Sequence, residues 1–356
     1  MTPAPRTMNW CLVSLFRAGD GWIPSFLGAS AHRFTIIDPT YSHDRSRSNA
    51  SLSDWRDYLL QALKAWVPFG TWRTDGIITV FPQLALITGL VKRLTLSRRP
   101  VVAWMFNLGK TYHGWHGVLA RFGYAAVDCF VVHSTHEIDV YSEWLRLPRE
   151  RFVFVPLSVA EKPIEVAEDA ESPFILSMGS ANRDYPLLLQ VLARLPHRAL
   201  IVAGSHALQG LAVPPNVTVR AGLTEDDCRL LCQRARVSVI PLRNLETAAG
   251  QVTVVEAMMS GRPLVTTRSV GTVDYVEDGV DGLLVAPADP AAMQAAIERL
   301  WDDASDRARI SDAARRSALA KFTFRAVASD LERILDGLSG GVRPDRARTR
   351  DSVPTR

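Results

Sequence analysis

The alternation of short apolar runs with amphipathic helical patterns limits the folds open to this chain more than any other feature. Apolar runs at residues 10–16, 77–81 and 101–106 predict strands, and the stretches 52–65 and 84–94 predict helices. Because these runs are apolar at nearly every position, each strand should be buried on both faces. The pattern therefore predicts an α/β fold with parallel sheets covered by helices on both sides.

The same alternation starts again after an acidic, aperiodic segment at residues 158–172. Strands are predicted at residues 174–178 and 237–241, and a helix at 186–195. We therefore predict two similar α/β domains. The predicted divisions are an N-terminal domain over residues 1–157, a linker over 158–172, a C-terminal domain over 173–322, a closing helix over 323–338 and a disordered basic tail over 339–356.

The composition is typical of a globular protein of a reducing compartment. Hydrophobic residues make up 47% of the chain and charged residues 22%, and no apolar run is long enough to span a bilayer. The four cysteines are too few for a disulfide framework in a chain of 356 residues. Cys228 and Cys232 lack a second ligand pair nearby, so no metal site is predicted there. With no signal peptide recognised, we predict a cytoplasmic location.

Charge is distributed unevenly along the sequence. Residues 1–136 hold 14 Lys and Arg against 7 Asp, a balance of +7, whereas residues 137–340 hold 22 basic and 28 acidic residues, a balance of −6. Lys92, Arg93, Arg98 and Arg99 cluster after a predicted apolar helix. The cluster predicts peripheral contact with an anionic membrane on its inner face, and a solvated basic face is the alternative. No nucleic-acid motif accompanies the charge, so nucleic acid is not an expected partner.

The segment "AAGQVTVVEAMMSGRP" at residues 248–263 combines a helix start with one carboxylate. Apolar residues recur at helical spacing from Val252, and Gly261 and Pro263 end the helix. Gly250 and Gln251 should therefore lie at a helix N-terminus beside the carboxyl edge of a parallel sheet. Free N–H groups at such a terminus bind anions, and glycine lets a phosphate approach the backbone. Glu256 could then accept hydrogen bonds from a ribose diol, or it could be a surface glutamate.

"GQVTVVEAMMSGRPLVTT" and the following "GTVDYVEDGVDGLLVAPADPAAMQAAIERL" resemble the donor-binding half of retaining glycosyltransferases of group 1. The resemblance extends over residues 173 to about 325, whereas the first half is similar only in layout. It implies the GT-B fold, in which two Rossmann-like doubly wound domains face a central cleft. It also implies transfer of a sugar from a UDP- or GDP-linked donor to a glycan or lipid-linked acceptor, with retention, in polysaccharide or glycolipid assembly. The first domain would then bind the acceptor, and the second the nucleotide-sugar.

The resemblance assigns roles to individual residues. It implies that Glu256 holds the ribose, and that Arg183 and the amides of Gly250, Gln251 and Val252 bind the diphosphate. A guanidinium can grip phosphate oxygens in a bidentate way, although a solvated loop cation is the alternative for Arg183. Further donor-binding candidates are Gly179, Gly222, Leu223 and Thr253. Gly19 and Gly21, in "FRAGDGW", could approach the donor or simply form a tight turn.

Three departures from the family pattern affect the predicted catalytic set. The first acid of the family motif falls at Ala248, with Glu246 as a nearby substitute. Ser180 replaces the usual arginine after the first strand of the C-terminal domain. The histidine often found after the fourth N-terminal strand is Phe106 or Asn107 here, while His113 and His116 follow in "TYHGWHG". The catalytic candidates are Arg183, Glu246, His113 and His116, and the histidines could equally be structural.

The resemblance implies that the leaving diphosphate takes the acceptor's proton on the same face of the sugar. Such a reaction needs stabilisation of negative charge more than a general base. No Asp-x-Asp occurs in the chain, so no metal or other cofactor is predicted. Two alternatives stay open: a nucleotide-sugar epimerase of similar fold, and a catalytically degenerate protein that acts as a partner-binding scaffold.

Overall fold

The computed structural model describes residues 7–15, 21–27, 30–40, 51–66, 74–109, 111–243 and 247–340. It divides into two compact units, one of residues 1–155 with 327–356 and one of residues 156–326. Within the described ranges each unit contains a six-stranded sheet in which every pair of neighbouring strands is parallel. The predicted α/β class with two Rossmann-like sheets is confirmed. The predicted tail beyond residue 340 lies outside the described residues.

The first unit has the strand order β2-β1-β3-β4-β5-β6. Its strands are β1 (Asn9–Val13), β2 (Arg33–Ile37), β3 (Gly76–Val80), β4 (Val101–Trp104), β5 (Cys129–Val132) and β6 (Phe152–Phe154). Its helices up to this point of the chain are α1 (Trp22–Phe26), α2 (Leu52–Trp66), α3 (Pro82–Leu94), α4 (Gly114–Tyr124) and α5 (Thr135–Leu145). Residues of α2, α3, α4 and α5 share one hydrophobic core with inward-facing residues of this sheet.

The second unit has the strand order β12-β11-β10-β7-β8-β9. Its strands are β7 (Phe174–Met178), β8 (Arg198–Val202), β9 (Val217–Arg220), β10 (Val237–Ile240), β11 (Leu264–Thr267) and β12 (Leu283–Val285). Its helices are α6 (Tyr185–Leu192), α7 (Glu225–Arg234), α8 (Gln251–Met259), α9 (Pro290–Asp302) and α10 (Ala304–Lys321). β8 and β9 follow β7 on one side of the sheet, whereas β11 and β12 follow β10 on the other side. The strand order therefore reverses between β7 and β10, where open α/β sheets bind ligands beyond their carboxyl ends.

The final helix returns to the first unit. α11 (Phe324–Ser339) lies where a closing helix was predicted at residues 323–338. From Val327 onward it belongs to the first unit, and Val327, Leu331 and Leu335 are buried in one core with residues of β1, β3 and β4. α11 therefore covers the face of the first sheet opposite to α2–α5. No helix in the described ranges is both long enough and apolar enough to cross a bilayer.

The connection between the units, predicted as a linker over residues 158–172, is irregular but attached to the second unit. The Gln233 amide oxygen, on α7, accepts hydrogen bonds from the backbone N–H groups of Glu165 (2.9 Å) and Val166 (3.2 Å). The Gln233 amide nitrogen donates to the Pro163 carbonyl at 3.0 Å. One buried side chain thus fixes three backbone groups of the connection.

Glu168 adds an ionic anchor in the same segment. Its carboxylate lies 2.6 Å from the Arg236 guanidinium, 3.7 Å from that of Arg262 and 3.8 Å from that of Arg307. All four side chains are about four-fifths buried or more, which reduces screening by water. A single carboxylate therefore compensates three guanidinium groups on α10 and beside β10 and β11.

We predict that Glu168→Ala destabilises the second unit. Removing the carboxylate leaves three largely buried cations in mutual repulsion, which should cost about 1–3 kcal/mol of unfolding free energy and lower the melting temperature by a few degrees. Calorimetric unfolding would measure the change. Glu171→Ala is the matched control, because Glu171 is exposed in the same segment. Equal melting temperatures for the two variants would contradict the anchoring role.

Candidate active site

Two loops meet beyond the ends of β7 and β10, at the point where the strand order reverses. The Asp184 N–H donates to the Pro241 carbonyl, and the Arg243 N–H donates to the Asn182 carbonyl, each at 3.0 Å. This short antiparallel contact ties the β7–α6 loop to the loop that leads into α8. Arg183 lies in the middle of it, paired with Leu242.

Arg183 is buried, with 9% of its surface exposed, and its guanidinium is held by three hydrogen bonds. Nε donates to the Met178 carbonyl (2.9 Å), Nη1 to the Ala181 carbonyl (3.0 Å) and Nη2 to the Thr253 hydroxyl (2.7 Å). A Cβ at Gly179, where φ is +104°, would lie only 2.6 Å from Nη2. Glycine at residue 179 is therefore required for the guanidinium to occupy this place.

The positive charge of Arg183 has no nearby counter-charge in the described part of the chain. No described carboxylate comes within 4.0 Å of its guanidinium, unlike Arg236 or Arg229. Burial lowers the pKa of Arg183, yet a guanidinium remains protonated at neutral pH. A buried cation is costly unless it is paired. The arrangement therefore favours an anionic ligand at this position.

The N-terminus of α8 supplies unpaired N–H groups beside this cation. Gly250 is the N-cap and is left-handed, with φ +86°, and α8 begins at Gln251, as the sequence pattern predicts. The first helical bond runs from the Val254 N–H to the Gly250 carbonyl at 2.9 Å. The amides of Gln251, Val252 and Thr253 thus have no acceptor within the helix, and the helix dipole adds partial positive charge there.

Glu256 lies further along α8 and is half-buried. Its carboxylate accepts no hydrogen bond from the described residues. Burial raises the pKa of the Glu256 carboxyl, and Glu225 acts in the same direction, while the charges of Lys162 and Arg229 lower it. The carboxylate is therefore partly desolvated, flanked by cations and free to accept hydrogen bonds from a ligand.

The remaining donor-site candidates lie close to α7. Gly222 is left-handed, with φ +71°, and a Cβ there would meet nothing within 4 Å. Leu223 packs at the edge of the second unit's core and directly precedes Thr224, the N-cap of α7. Glu225, the first residue of α7, interacts electrostatically with Glu256. The two acids repel each other, so the 222–225 turn lies near Glu256, although no hydrogen bond joins them among the described residues.

Sequence reasoning missed Gly271. A Cβ at this residue would lie 2.5 Å from the Ala249 nitrogen and closer still to the Ala249 oxygen, and 3.2 Å from the Ala248 carbonyl carbon. Its backbone is not left-handed, so this contact alone excludes a side chain. Gly271 therefore supports the backbone that leads into Gly250. The only signal in the sequence is a glycine shortly after a predicted strand, which fixes no contact partner.

The first acid of the family motif has no counterpart among the described residues of this loop. Ala248 is 7% exposed, so its position is small, apolar and buried. Glu246, the predicted substitute, lies outside the described residues. The Ser180 hydroxyl accepts the Gly204 N–H at 2.8 Å, and as a neutral group it cannot replace the positive charge of the family's arginine. We call the Arg183 guanidinium, the N-terminal amides of α8 and the Glu256 carboxylate the cradle.

The candidates from the predicted first domain lie in the first unit. His113 is the N-cap of α4, and His116 stacks on Trp115 with ring centroids 3.6 Å apart. Both histidines are exposed, and neither ring hydrogen-bonds to a described residue. Gly21 precedes α1 with φ −60°, a value that any residue adopts. Gly19 lies outside the described residues.

The predicted basic cluster is wrong in one of its four members. Lys92 is buried, and its ammonium lies 2.5 Å from the Asp128 carboxylate. Asp128 also accepts the Val101 N–H at 2.7 Å, so the pair joins the end of α3 to the start of β4. Lys92 is therefore a structural residue, and only Arg93, Arg98 and Arg99 remain of the cluster.

Comparisons with known proteins show which family part of the chain resembles. Residues 172–303 match the family described as glycosyl transferases group 1, the part of the chain that holds Arg183, Gly250 and Glu256. The chain is a glycosyltransferase, and over this segment it is similar to those of group 1. The lipopolysaccharide core biosynthesis glycosyltransferase LpsE of Rhizobium meliloti is 26% identical over 67% of this chain and 76% of its own length.

Two further proteins extend the comparison. The MMP alpha-(1->4)-mannosyltransferase of Mycolicibacterium hassiacum is 27% identical over 64% of this glycosyltransferase, which spans only 58% of that relative's length. The solved structure of Anabaena HepE in complex with UDP superposes with a TM-score of 0.66 at 14% identity, over 93% of this chain and 100% of HepE. This glycosyltransferase therefore has the GT-B fold that its sequence implies.

We predict that Gly271→Ala weakens donor binding without unfolding the glycosyltransferase. The added methyl group must displace the 248–249 backbone and, with it, the N-terminus of α8. The nucleoside diphosphate for the experiment is the one that raises the melting temperature of the parent most. Its affinity should fall about tenfold or more, because a small displacement of the α8 amides weakens their hydrogen bonds to the phosphates. Isothermal titration would measure it.

The control for this experiment is Gly340→Ala, where a Cβ would have its nearest contact at 3.6 Å. Melting temperatures of both variants report on folding. If Gly271→Ala binds the nucleotide like the parent, Gly271 does not position the cradle.

Proposed function

We propose that the protein is a retaining hexosyltransferase that uses a UDP- or GDP-linked sugar and a glycan or lipid-linked acceptor. One observation carries the proposal. The buried Arg183 cation has no carboxylate partner among the described residues, and it lies beside the α8 amides that have no acceptor within the helix. Both lie where the strand order reverses, which is the ligand crevice of open α/β sheets. A diphosphate would satisfy the cation and the amides together.

The proposed reaction breaks the bond between the sugar's anomeric carbon and the diphosphate oxygen. The acceptor hydroxyl forms its bond to the same carbon from the same face, and its proton passes to the leaving diphosphate oxygen. Negative charge grows on the diphosphate as the bond breaks. Arg183 and the α8 amides are fixed in advance by the contacts described above, so they stabilise that charge without reorganising. Because these groups supply the positive charge, we propose that no protein-bound metal is needed.

Glu256 is proposed to bind the ribose of the donor. Its free, half-buried carboxylate can accept two hydrogen bonds from a vicinal diol, and desolvation strengthens both. The 222–225 turn, which lies near Glu256, would then lie near the nucleotide base of the donor. The UDP complex of HepE supports a nucleoside diphosphate as the common element of the donor.

The acceptor is proposed to be a growing glycan on a lipid carrier, in surface polysaccharide or glycolipid assembly. The name of the relative LpsE, which refers to lipopolysaccharide core biosynthesis, supports this class of acceptor. The protein would then work in the cytoplasm against the inner face of a membrane. The first unit would hold the acceptor, with His113 and His116 as candidate contacts.

We predict that Arg183→Ala and Glu256→Gln have different kinetic consequences. Removing Arg183 takes away stabilisation of the growing diphosphate charge, so kcat should fall about ten- to a hundredfold while donor binding also weakens. The ribose changes little during the reaction, so Glu256→Gln should mainly raise the donor KM. A melting-temperature screen of UDP-, GDP- and ADP-sugars first selects the donor, because a ligand of the native state raises stability.

Matched controls are Arg194→Ala, an exposed residue beyond the C-terminal end of α6, and Glu298→Gln on α9. If Arg183→Ala and Glu256→Gln both bind and turn over the donor like these controls, the cradle is not the donor site. Conversion of the donor without any acceptor would favour the epimerase alternative. A protein that binds no nucleotide-sugar would favour the scaffold alternative.

We predict that alanine at His113 or His116 lowers turnover more than donor binding, because both residues lie in the unit proposed to bind the acceptor. Steady-state kinetics at varied acceptor concentration, with nucleotide affinity measured separately, would test this. Full activity in both single variants would show that the histidines are only surface residues of α4.

A further inference from the structure

α4 presents its large apolar residues to solvent. Trp115, Val118, Leu119 and Phe122 are 68%, 65%, 42% and 50% exposed. Their spacing places them on one side of the helix, where such a stripe normally packs against a core. We call these four residues the α4 face.

The inner side of α4 explains why the large residues cannot turn inward. Gly117, Ala120 and Gly123 are buried, and a Cβ at Gly123 would lie 2.5 Å from Leu86 of α3. A Cβ at Gly89 of α3 would in turn overlap the Gly123 carbonyl oxygen. α3 and α4 are therefore so close that only small residues fit between them. The α4 face contributes nothing to this packing, so the fold does not account for it.

Two arginines lie beside the α4 face. The Arg93 guanidinium lies 4.2 Å from the centroid of the Phe122 ring, and it donates to the Phe122 carbonyl at 2.7 Å. Arg121 lies on α4 itself. Leu94, the last residue of α3, and Leu96, in the turn after it, are 81% and 88% exposed and add apolar surface close in sequence to Arg93.

Acidic residues are scarce on the same helices. The only acids within α2, α3 and α4 are Asp54 and Asp57, and both are buried. Asp128, directly before β5, is paired with Lys92 near the end of α3. Apolar and aromatic side chains bordered by arginines, without exposed acids on these helices, match the composition of surfaces that lie in the interface of anionic membranes.

We propose that the α4 face enters the interfacial region of an anionic phospholipid bilayer, with Trp115 and Phe122 among the acyl chains and Arg93 and Arg121 at the headgroups. The inference rests on the proposed function in one respect, since a lipid-linked acceptor gives the contact its purpose. The sequence predicts that a basic cluster makes the membrane contact. We propose instead that the α4 face makes it, and that apolar side chains contribute most of the binding free energy. Salt should therefore weaken binding only in part.

The test is co-sedimentation of the full chain with vesicles of phosphatidylglycerol and phosphatidylcholine, compared with phosphatidylcholine alone. The parent should bind the anionic vesicles more strongly. Val118→Asp should reduce the partition coefficient about tenfold or more, because a carboxylate in the α4 face opposes both insertion and headgroup attraction. Val213→Asp is the matched control, since Val213 is 42% exposed in the second unit.

Brominated lipids provide a second readout. Trp115 is the most exposed of the tryptophans that the structure describes, so its fluorescence should be quenched on binding, and Trp115→Phe should remove most of that quenching. Unchanged binding of Val118→Asp would overturn the proposal. So would a parent dimer that Val118→Asp converts to monomer, because a second copy would then cover the α4 face. Neither result depends on transferase activity, so the proposed function would stand or fall separately.

Discussion

The close approach of the loops after β7 and β10 is the constraint on which the candidate site depends. It is possible because Gly179 has no side chain, which lets the Arg183 guanidinium turn under the end of β7. There the guanidinium donates to the carbonyl of Met178 at the end of β7, to the carbonyl of Ala181 in its own loop and to the Thr253 hydroxyl on α8. One side chain thus fixes the relative positions of the two loops and also supplies the charge that a phosphate would meet.

This arrangement is preorganised in the electrostatic sense. A cation that is already desolvated and held by three hydrogen bonds loses little further hydration or side-chain entropy when an anion arrives. The α8 amides are held just as firmly, since Gly250 fixes the start of the helix and Gly271 supports the backbone before it. The free-energy cost of desolvating Arg183 and ordering its side chain arises during folding, and the binding of an anion offsets part of that cost. That Arg183 has no carboxylate partner among the described residues is therefore informative, because their packing alone gives no reason to leave a cation there.

Much of the fold could be predicted from local pattern, since apolar runs and helical periodicity are properties of short segments. The start of α8 follows from Gly250, and its end from Gly261 and Pro263. What the sequence could not show are contacts between distant segments. Lys92 looks like part of an exposed basic cluster, but Asp128, distant in sequence, pairs with it. Gly271 looks like an ordinary loop glycine, and its contact with Ala249 exists only in the folded chain.

The orientation of α4 also depends on contacts between distant segments, so the sequence could not show it. This orientation gives a reason for the uneven distribution of charge along the chain. Apolar periodicity at Trp115, Val118, Leu119 and Phe122 normally indicates a buried stripe, and only the tight packing of Gly89 against Gly123 reverses it. The positive balance of residues 1–136 then lies on the unit that carries this apolar surface, while residues 137–340 are net negative. An anionic bilayer attracts the first unit and repels most of the second. Apolar insertion and charge therefore act on the same unit, and that unit is the one proposed to receive a lipid-linked acceptor.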